Sequence, residues 1–239
     1  MMKRSYLHPV RLDLSKLKPK YRAEPEVPCV VRALSDFISQ GNLKKSISSL
    51  YLLRSRRLRV DSRTIASLLN LCGEVRSSRY GRRVSQLMQV TGIKRSNQLL
   101  SDDLMRMFLK CGSYVEARKV FDDMPNRRLL TYITMISGYI RMGMIEAARL
   151  LFEQMPGKDV VSWNLMITAH AKLGFCHEAL GFFFKLRQNY VRINAYSLAG
   201  VLTVSMKLRD EGLARQIHGQ VIVFGFMNSV VLSSLVLDA

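Results

Sequence analysis

The sequence predicts an all-α fold of stacked helix-turn-helix repeats, and three observations carry that prediction. Glycine and proline are scarce, 14 and 6 in 239 residues, which suits helices joined by short turns better than a sandwich of many strands. Apolar residues make up 48% of the chain, ample for a packed core. A fixed period runs along it. Gly112, Gly143 and Gly174 stand 31 apart, as do Phe121, Phe152 and Phe183, and Met124-Pro125 recurs as Met155-Pro156. Self-similarity of this length is the mark of a repeat array.

A second register relates 62–97 to 195–229. Ala66-Ser67-Leu68-Leu69 aligns with Ala199-Gly200-Val201-Leu202, Gly92 aligns with Gly225, and the shift of 133 equals the summed length of the intervening units. The phasing expected for 27–239 is therefore 27–61, 62–97, 98–128, 129–159, 160–194 and 195–229, with 230–239 opening a partial seventh repeat.

Residues 1–26 come first. Lys3, Arg4, Arg11, Lys16, Lys18, Lys20 and Arg22 alternate there with Leu7, Val10, Leu12, Leu14 and Leu17. The segment has no long apolar run, which excludes a secretory signal peptide, and it reads as a disordered basic segment or organellar presequence. Arginine and leucine with sparse serine favour a mitochondrial over a plastid address, against which Asp13 stands as an unusual acid.

Each following repeat supplies an apolar residue at its eighth place and a small one at its twentieth. In order these are Leu34 and Ser46, Leu69 and Gly81, Met105 and Ala117, Ile136 and Ala148, Ile167 and Ala179, Leu202 and Ala214, with Leu237 in the partial repeat. The apolar column buries one face of a first helix. The small column lets a second helix approach it closely, so that neighbouring units stack. In 160–194 the first helix is expected over Ser162–Lys172, Gly174 supplies a left-handed turn, and the second helix spans His177–Gln188. Met124-Pro125 and Met155-Pro156 stop second helices, since proline cannot continue one.

Charge narrows the partners. The chain carries 37 Lys+Arg against 18 Asp+Glu, a formal net charge of +19, with 21 basic and 6 acidic residues before Gln98. Such a field favours polyanions, nucleic acid or an anionic membrane surface, over a merely solvated basic face. Cys29, Cys72, Cys111 and Cys176 form no C-x-x-C pair, so they read as reduced, small core residues. His170 and His177 flank Cys176 but sit two helical turns apart, too far to share one tetrahedral ion. No Walker loop, G-x-S-x-G or H-x-E…C-x-x-C pattern occurs, so no metal, cofactor or catalytic residue is expected and the chain reads as non-enzymatic. Gly219–Leu237 is uncharged, yet Gly225, Asn228, Ser229, Ser233 and Ser234 interrupt it, which argues against a membrane span.

The stretches VVSWNLMITAHAKLGFCHEALGFFFKL, LLTYITMISGYIRMGMIEAARLLFEQMPGKD and GLARQIHGQVIVFGF resemble the plant pentatricopeptide repeat family, in the variant that alternates standard, long and short units. Unit lengths of 35, 36, 31, 31, 35 and 35 follow that variant in a standard, long, short, short, standard, long order. The tetratricopeptide repeat differs by its W…LG…Y pattern and late proline. The resemblance implies a right-handed α-solenoid that binds single-stranded organellar RNA in RNA processing or editing. Relatives of this repeat order often end in a cytidine-deaminase-like domain, whose signature these residues lack.

The resemblance also implies one base per repeat, read by the fifth and last residues, with the second residue packed on the base plane. Carried over, Asn164 and Asn194 with Val161 form a pyrimidine reader with a preference for cytosine, since a side-chain amide offers donor and acceptor to a Watson–Crick edge. An asparagine at a helix start also caps helices. Ile133 with Asp159, over Leu130, lacks a polar fifth residue, as does Val31 with Asp61. Asp102 with Arg128 departs from the pattern, and Asp102 would repel phosphate. Ala66 with Asn97, Ala199 with Ser229, and Ser234 of the partial repeat are weak candidates. Arg54, Arg56, Arg57, Arg59 and Arg63 at a repeat junction are candidates for phosphate. Trp163, Tyr132 and Tyr196, read as occupants of the fourth place, are expected in the core. The rival expectation is a protein-interaction scaffold of little RNA affinity, a truncated family member, with a partner at its apolar C-terminal end.

Overall fold

Helices form where apolar residues recur three and four apart, and they end where a residue turns left-handed. The structure is a computed structural model that describes residues 27–55, 60–91 and 98–232. In chain order its helices are α1 Val27–Ser39, α2 Leu43–Ser55, α3 Ser62–Glu74, α4 Ser78–Thr91, α5 Gln98–Lys110, α6 Tyr114–Asp122, α7 Leu129–Arg141, α8 Ile145–Glu153, α9 Val160–Leu173, α10 Cys176–Gln188, α11 Ala195–Leu208 and α12 Glu211–Val223. The basic segment 1–26, Arg56, Arg57, Arg59, Asn97, Ser234 and Leu237 lie outside the described residues.

Two compact units divide the chain, Met1–Asn126 with α1–α6 and Arg127–Ala239 with α7–α12. Within each, consecutive helices pair and the pairs stack side by side. This is the all-α, helix-turn-helix architecture of a right-handed solenoid.

Every pair closes through one turn geometry. After α5, Gly112 adopts φ 72°; its N–H donates to the Leu109 carbonyl at 3.2 Å and the Ser113 N–H to that of Phe108 at 2.9 Å. These bonds satisfy carbonyls that the helix end would otherwise leave open. Arg76 after α3 and Arg209 after α11 take the same place at φ 51° and 54°, where an L-residue with a Cβ bears a cost of about 1–2 kcal/mol. α9 begins at Val160, two residues earlier than expected, because Asp159 caps it by accepting the Ser162 N–H at 2.9 Å. α6 and α8 stop after nine residues against thirteen for α10, as the Met-Pro pairs dictate.

In the first unit Leu34, Leu69 and Met105 are fully buried, and Ser46 and Ala117 are buried beside them. A Cβ at Gly81 would overlap the Met107 thioether, so α4 lies as close to α5 as a missing side chain allows. Cys72 is buried on α3, and Cys111 donates through its thiol to the Cys72 carbonyl at 3.7 Å. Burial, with the neighbouring Cys111 adding to it, pushes the Cys72 thiol up to about 12. Cys176 is buried like Cys72, whereas Cys111 is only half-buried, so the expectation of a uniformly core cysteine set is corrected there.

The second unit repeats the pattern with Ile136, Ile167 and Leu202 beneath Ala148 and Ala179, all buried. Gly200 of α11 meets α9 where a Cβ would stand 2.6 Å from Ile167 Cγ2. Trp163 packs edge-on against Phe152 at 4.9 Å between centroids, and Phe182 lies 5.7 Å from Phe152 and 4.8 Å from His170. Edge-to-face pairs of this kind contribute about 0.5–1.5 kcal/mol each beyond burial. His170 is buried with Nδ1 2.8 Å from the Met166 carbonyl, and His177 is exposed. Among the described residues no helix is long and apolar enough to cross a membrane, and no group of three His, Cys, Asp or Glu could hold a metal.

Candidate nucleic-acid interface

The first turn of a first helix has one side that the stack does not cover. In the second unit that side holds Leu130 on α7, Val161 on α9 and Tyr196 on α11, which are 56%, 53% and 60% exposed. In the first unit Leu99 on α5 is 61% exposed, and Arg63 on α3, also exposed, takes the same second place. Single exposed apolar residues are ordinary. Recurrence at one place of successive helices is not, because burying any of them inward was equally available to the sequence.

Tyr196 corrects the expectation set for it. Trp163 and Tyr132 are fourth residues of their helices and are buried, whereas Tyr196 is the second residue of α11 and faces outward. Leu99 and Tyr196 join this exposed column although the sequence reading does not place them in it. The signal that finds them is the column itself, since each lies one residue past a first-helix start, as Leu130 and Val161 do.

Residues three apart share a helix face, so the fifth residue of each first helix lies beside the second. Asn164, 8% exposed, sits next to Val161. Its Nδ2 donates to Asn194 Oδ1 at 2.8 Å, and its Oδ1 accepts from Ser197 Oγ at 2.7 Å. Asn194 caps α11: its Oδ1 also accepts the Ser197 N–H at 3.1 Å, while its own N–H donates to Ser197 Oγ at 3.3 Å, a capping box. Both carbonyl oxygens are thus committed inward. What the pair still offers a ligand are amide N–H groups, because each primary amide has two.

The remaining candidates are scattered in kind. Asp159 caps α9, Ile133 is half-buried, and Ala199 is buried and presents only a methyl group. Asp102 is buried on α5 rather than facing the solvent as a phosphate-repelling carboxylate would. Arg128 precedes α7 without a side-chain cap bond to it. Ser229 is half-buried, its N–H donating to the Phe226 carbonyl and its carbonyl accepting from Leu232, both at 2.9 Å. Ala66 is half-buried on α3. Arg54 at the end of α2 and Arg63 at the start of α3 are exposed.

Comparison with known proteins adds an independent line. The family model described as PPR repeat matches residues 103–129, 130–160 and 161–191. A pentatricopeptide repeat-containing protein of Arabidopsis thaliana is 47% identical over 212 residues, 88% of this chain and 36% of that protein. Two others from the same plant, one named mitochondrial and one chloroplastic, are 30% and 26% identical over 106 and 209 residues, 44% and 87% of this chain and 16% and 26% of theirs. The chain therefore spans about a third or less of the length of these relatives. Among solved structures it is similar in fold to the pentatricopeptide repeat protein PPR10 from maize, with a TM-score of 0.61 at 15% identity, covering 87% of this chain and 30% of that one. PPR10 in complex with an 18-nt psaJ RNA element matches at a TM-score of 0.52 and 15% identity, covering 82% and 31%.

Proposed function

This chain is a pentatricopeptide-repeat protein related to the plant proteins that carry the same repeat, and from that premise we propose that it binds single-stranded RNA along the first turns of its first helices, without catalysing a reaction. The observation that carries the reading is the exposed column Leu130, Val161 and Tyr196. Exposed apolar and aromatic side chains at a repeating place are what unstacked bases rest on, and one base per repeat is the stoichiometry such repeats use.

Base choice falls to the residues beside that column. Asn164 and Asn194, over Val161, read a pyrimidine: their remaining N–H groups can donate to O2 and N3 of cytosine or to the O2 and O4 carbonyls of uracil. Leu130 with Ile133 and Asp159, Leu99 with Asp102, and Tyr196 with Ala199 and Ser229 hold a base with little selection, because the fifth residue there carries no amide. Arg54 and Arg63 meet phosphate. The alternation of unit lengths supports the standard/long/short subtype, and the role we assign is organellar RNA processing or editing, in the mitochondrion with the plastid as alternative; the relatives' names, one mitochondrial and one chloroplastic, support an organellar address in general.

A titration with single-stranded homopolymers tests this. Wild type should bind oligocytidylate or oligouridylate more tightly than oligoadenylate, and Val161→Ser with Tyr196→Ser should weaken all of them about thirtyfold, the loss of two stacking platforms at the low end of their worth. Equal affinity of the double variant and wild type would remove the reading. The scaffold alternative is favoured by the exposed Ile222, Val223, Phe224, Met227 and Val230; protein capture that persists after ribonuclease, with no RNA binding, would select it.

A further inference from the structure

The charge excess is unevenly placed on the second helices. α2 and α4 contain no aspartate or glutamate, while each of the other second helices carries at least one acid. On three of those others ion pairs within the helix engage the arginine: Arg118 with Asp122 at 2.9 Å, Arg149 with Glu146 and Glu153 at 2.9 and 2.8 Å, Arg215 with Glu211 at 3.0 Å; α10 carries Lys185 and Arg187 with one acid, Glu178. The same structural position therefore carries a balanced surface on α6, α8 and α12, and the cations of α2 and α4 are not simply how this fold keeps its second helices solvated.

In the first unit α1, α3 and α5 pack as one row, and α2 lies against α4. Lys44 and Arg79 hold the same place in the α1–α2 and α3–α4 repeats, seventeen residues past each first-helix start. Arg79, Arg82, Arg83, Gln86 and Gln89 recur three and four apart, one stripe of α4. Arg79, Arg82, Gln86 and Gln89 are exposed and Arg83 is half-buried, its guanidinium 5.9 Å from the Tyr80 ring. Lys44 and Lys45 are exposed on the first turn of α2. Among the described residues the ion pair here is Arg82 to Glu116 of α6, at 2.9 Å.

We propose that this face of α2 and α4, on the second helices rather than the first, is a base-independent docking surface for the phosphate backbone of RNA flanking the strand held on the first helices. The inference rests on the RNA reading above and extends it to a second surface. The α4 stripe favours phosphate over an acidic protein segment because it has cations and amides but no apolar centre, and protein interfaces bury an apolar one. Arginine forks and lysine ammonium groups at helical spacing neutralise a backbone without reading sequence.

The test uses the full chain, a short oligocytidylate, and the same strand extended by a hairpin. Lys44→Gln/Arg79→Gln/Arg83→Gln should lower the slope of log affinity against log salt by about 2 on the extended RNA, with the short strand bound within about twofold of wild type. The charge-retaining Arg79→Lys/Arg83→Lys should keep the wild-type slope, which separates lost charge from lost structure. A wild-type slope for the triple variant overturns the proposal. If the short strand is bound and the extension adds nothing, the second surface fails while the base-reading face stands; if neither RNA binds, the parent reading fails first. Polyglutamate binding that the triple variant abolishes, beside an unchanged RNA slope, assigns the face to acidic protein instead.

Discussion

Asn164 and Asn194, thirty residues apart in sequence, are hydrogen-bonded to each other at 2.8 Å, and the acceptor is also the cap of α11. The contact between two repeats and the group proposed to meet a base are thus one network, with Ser197 as its third member. A ligand at this place meets side chains already held in one orientation, so less ordering opposes binding.

Asn164→Ala removes a donor to Asn194 and an acceptor for Ser197 while leaving the cap of α11 in place. It should cost about 1–2 kcal/mol of stability and reduce pyrimidine affinity about tenfold, the worth of one net hydrogen bond to a base edge. Gel-shift titrations on each homopolymer check the second part. An equal loss on all of them would show that the residue serves the stack and not the base.

Arg209 turns left-handed where four other repeats place glycine. Arg209→Gly should raise the melting temperature by relieving about 1 kcal/mol of backbone strain, less the freedom that glycine adds to the unfolded chain. Arg76→Gly should act likewise in the first unit. Thermal denaturation followed by helical circular dichroism reads both, and a lowered midpoint would contradict the strain argument.

Gly200 is held against Ile167 with no room for a Cβ. Gly200→Val should destabilise by about 1–3 kcal/mol through overpacking. Gly181→Ala on α10, where a Cβ meets nothing within 4 Å, should be neutral or stabilising, because helix propensity favours alanine by about 1 kcal/mol. Urea titrations of the two side by side check the contrast.

Cys72 is an acid whose folded-state value, about 12, stands above its ordinary 9.0 because burial disfavours the thiolate. Stability that depends on it is complete below pH 9 and lost as pH rises from about 9 toward 12, where the unfolded chain releases the proton and the folded one retains it. The pH slope of stability in that window should flatten in Cys72→Ala. At pH 8 iodoacetamide should label the half-buried Cys111 well before Cys72, as mass spectrometry of digested protein would resolve.

The columns that make the stack were legible because they are redundant. Leu34, Leu69, Met105, Ile136, Ile167 and Leu202 repeat one requirement, and so do Ala117, Ala148 and Ala179. Miscounting one unit does not hide the pattern. The ligand side was less legible for the opposite reason. Tyr196 is recognised only by its exact place in a unit whose length varies, and a slip of two residues sends it to the core. The Asn164–Asn194 bond joins groups on different repeats, which no local rule connects. Arg76 and Arg209 take a backbone conformation that arginine does not announce. The cations of α2 and α4 needed the other second helices set beside them before the lack of acids on their own helices meant anything.

On α9, Ile167 and Val161 lie on different faces, one sealed between helices and the other open. Selection can therefore act on them separately. Substitution at the outward residues retunes what is recognised while the scaffold survives, whereas drift at Ile167 or Gly200 is purged because it unseats a neighbour. Duplicating such a unit copies a tolerant surface together with an intolerant core, which gives the lineage a cheap route to new specificities without inventing a new fold.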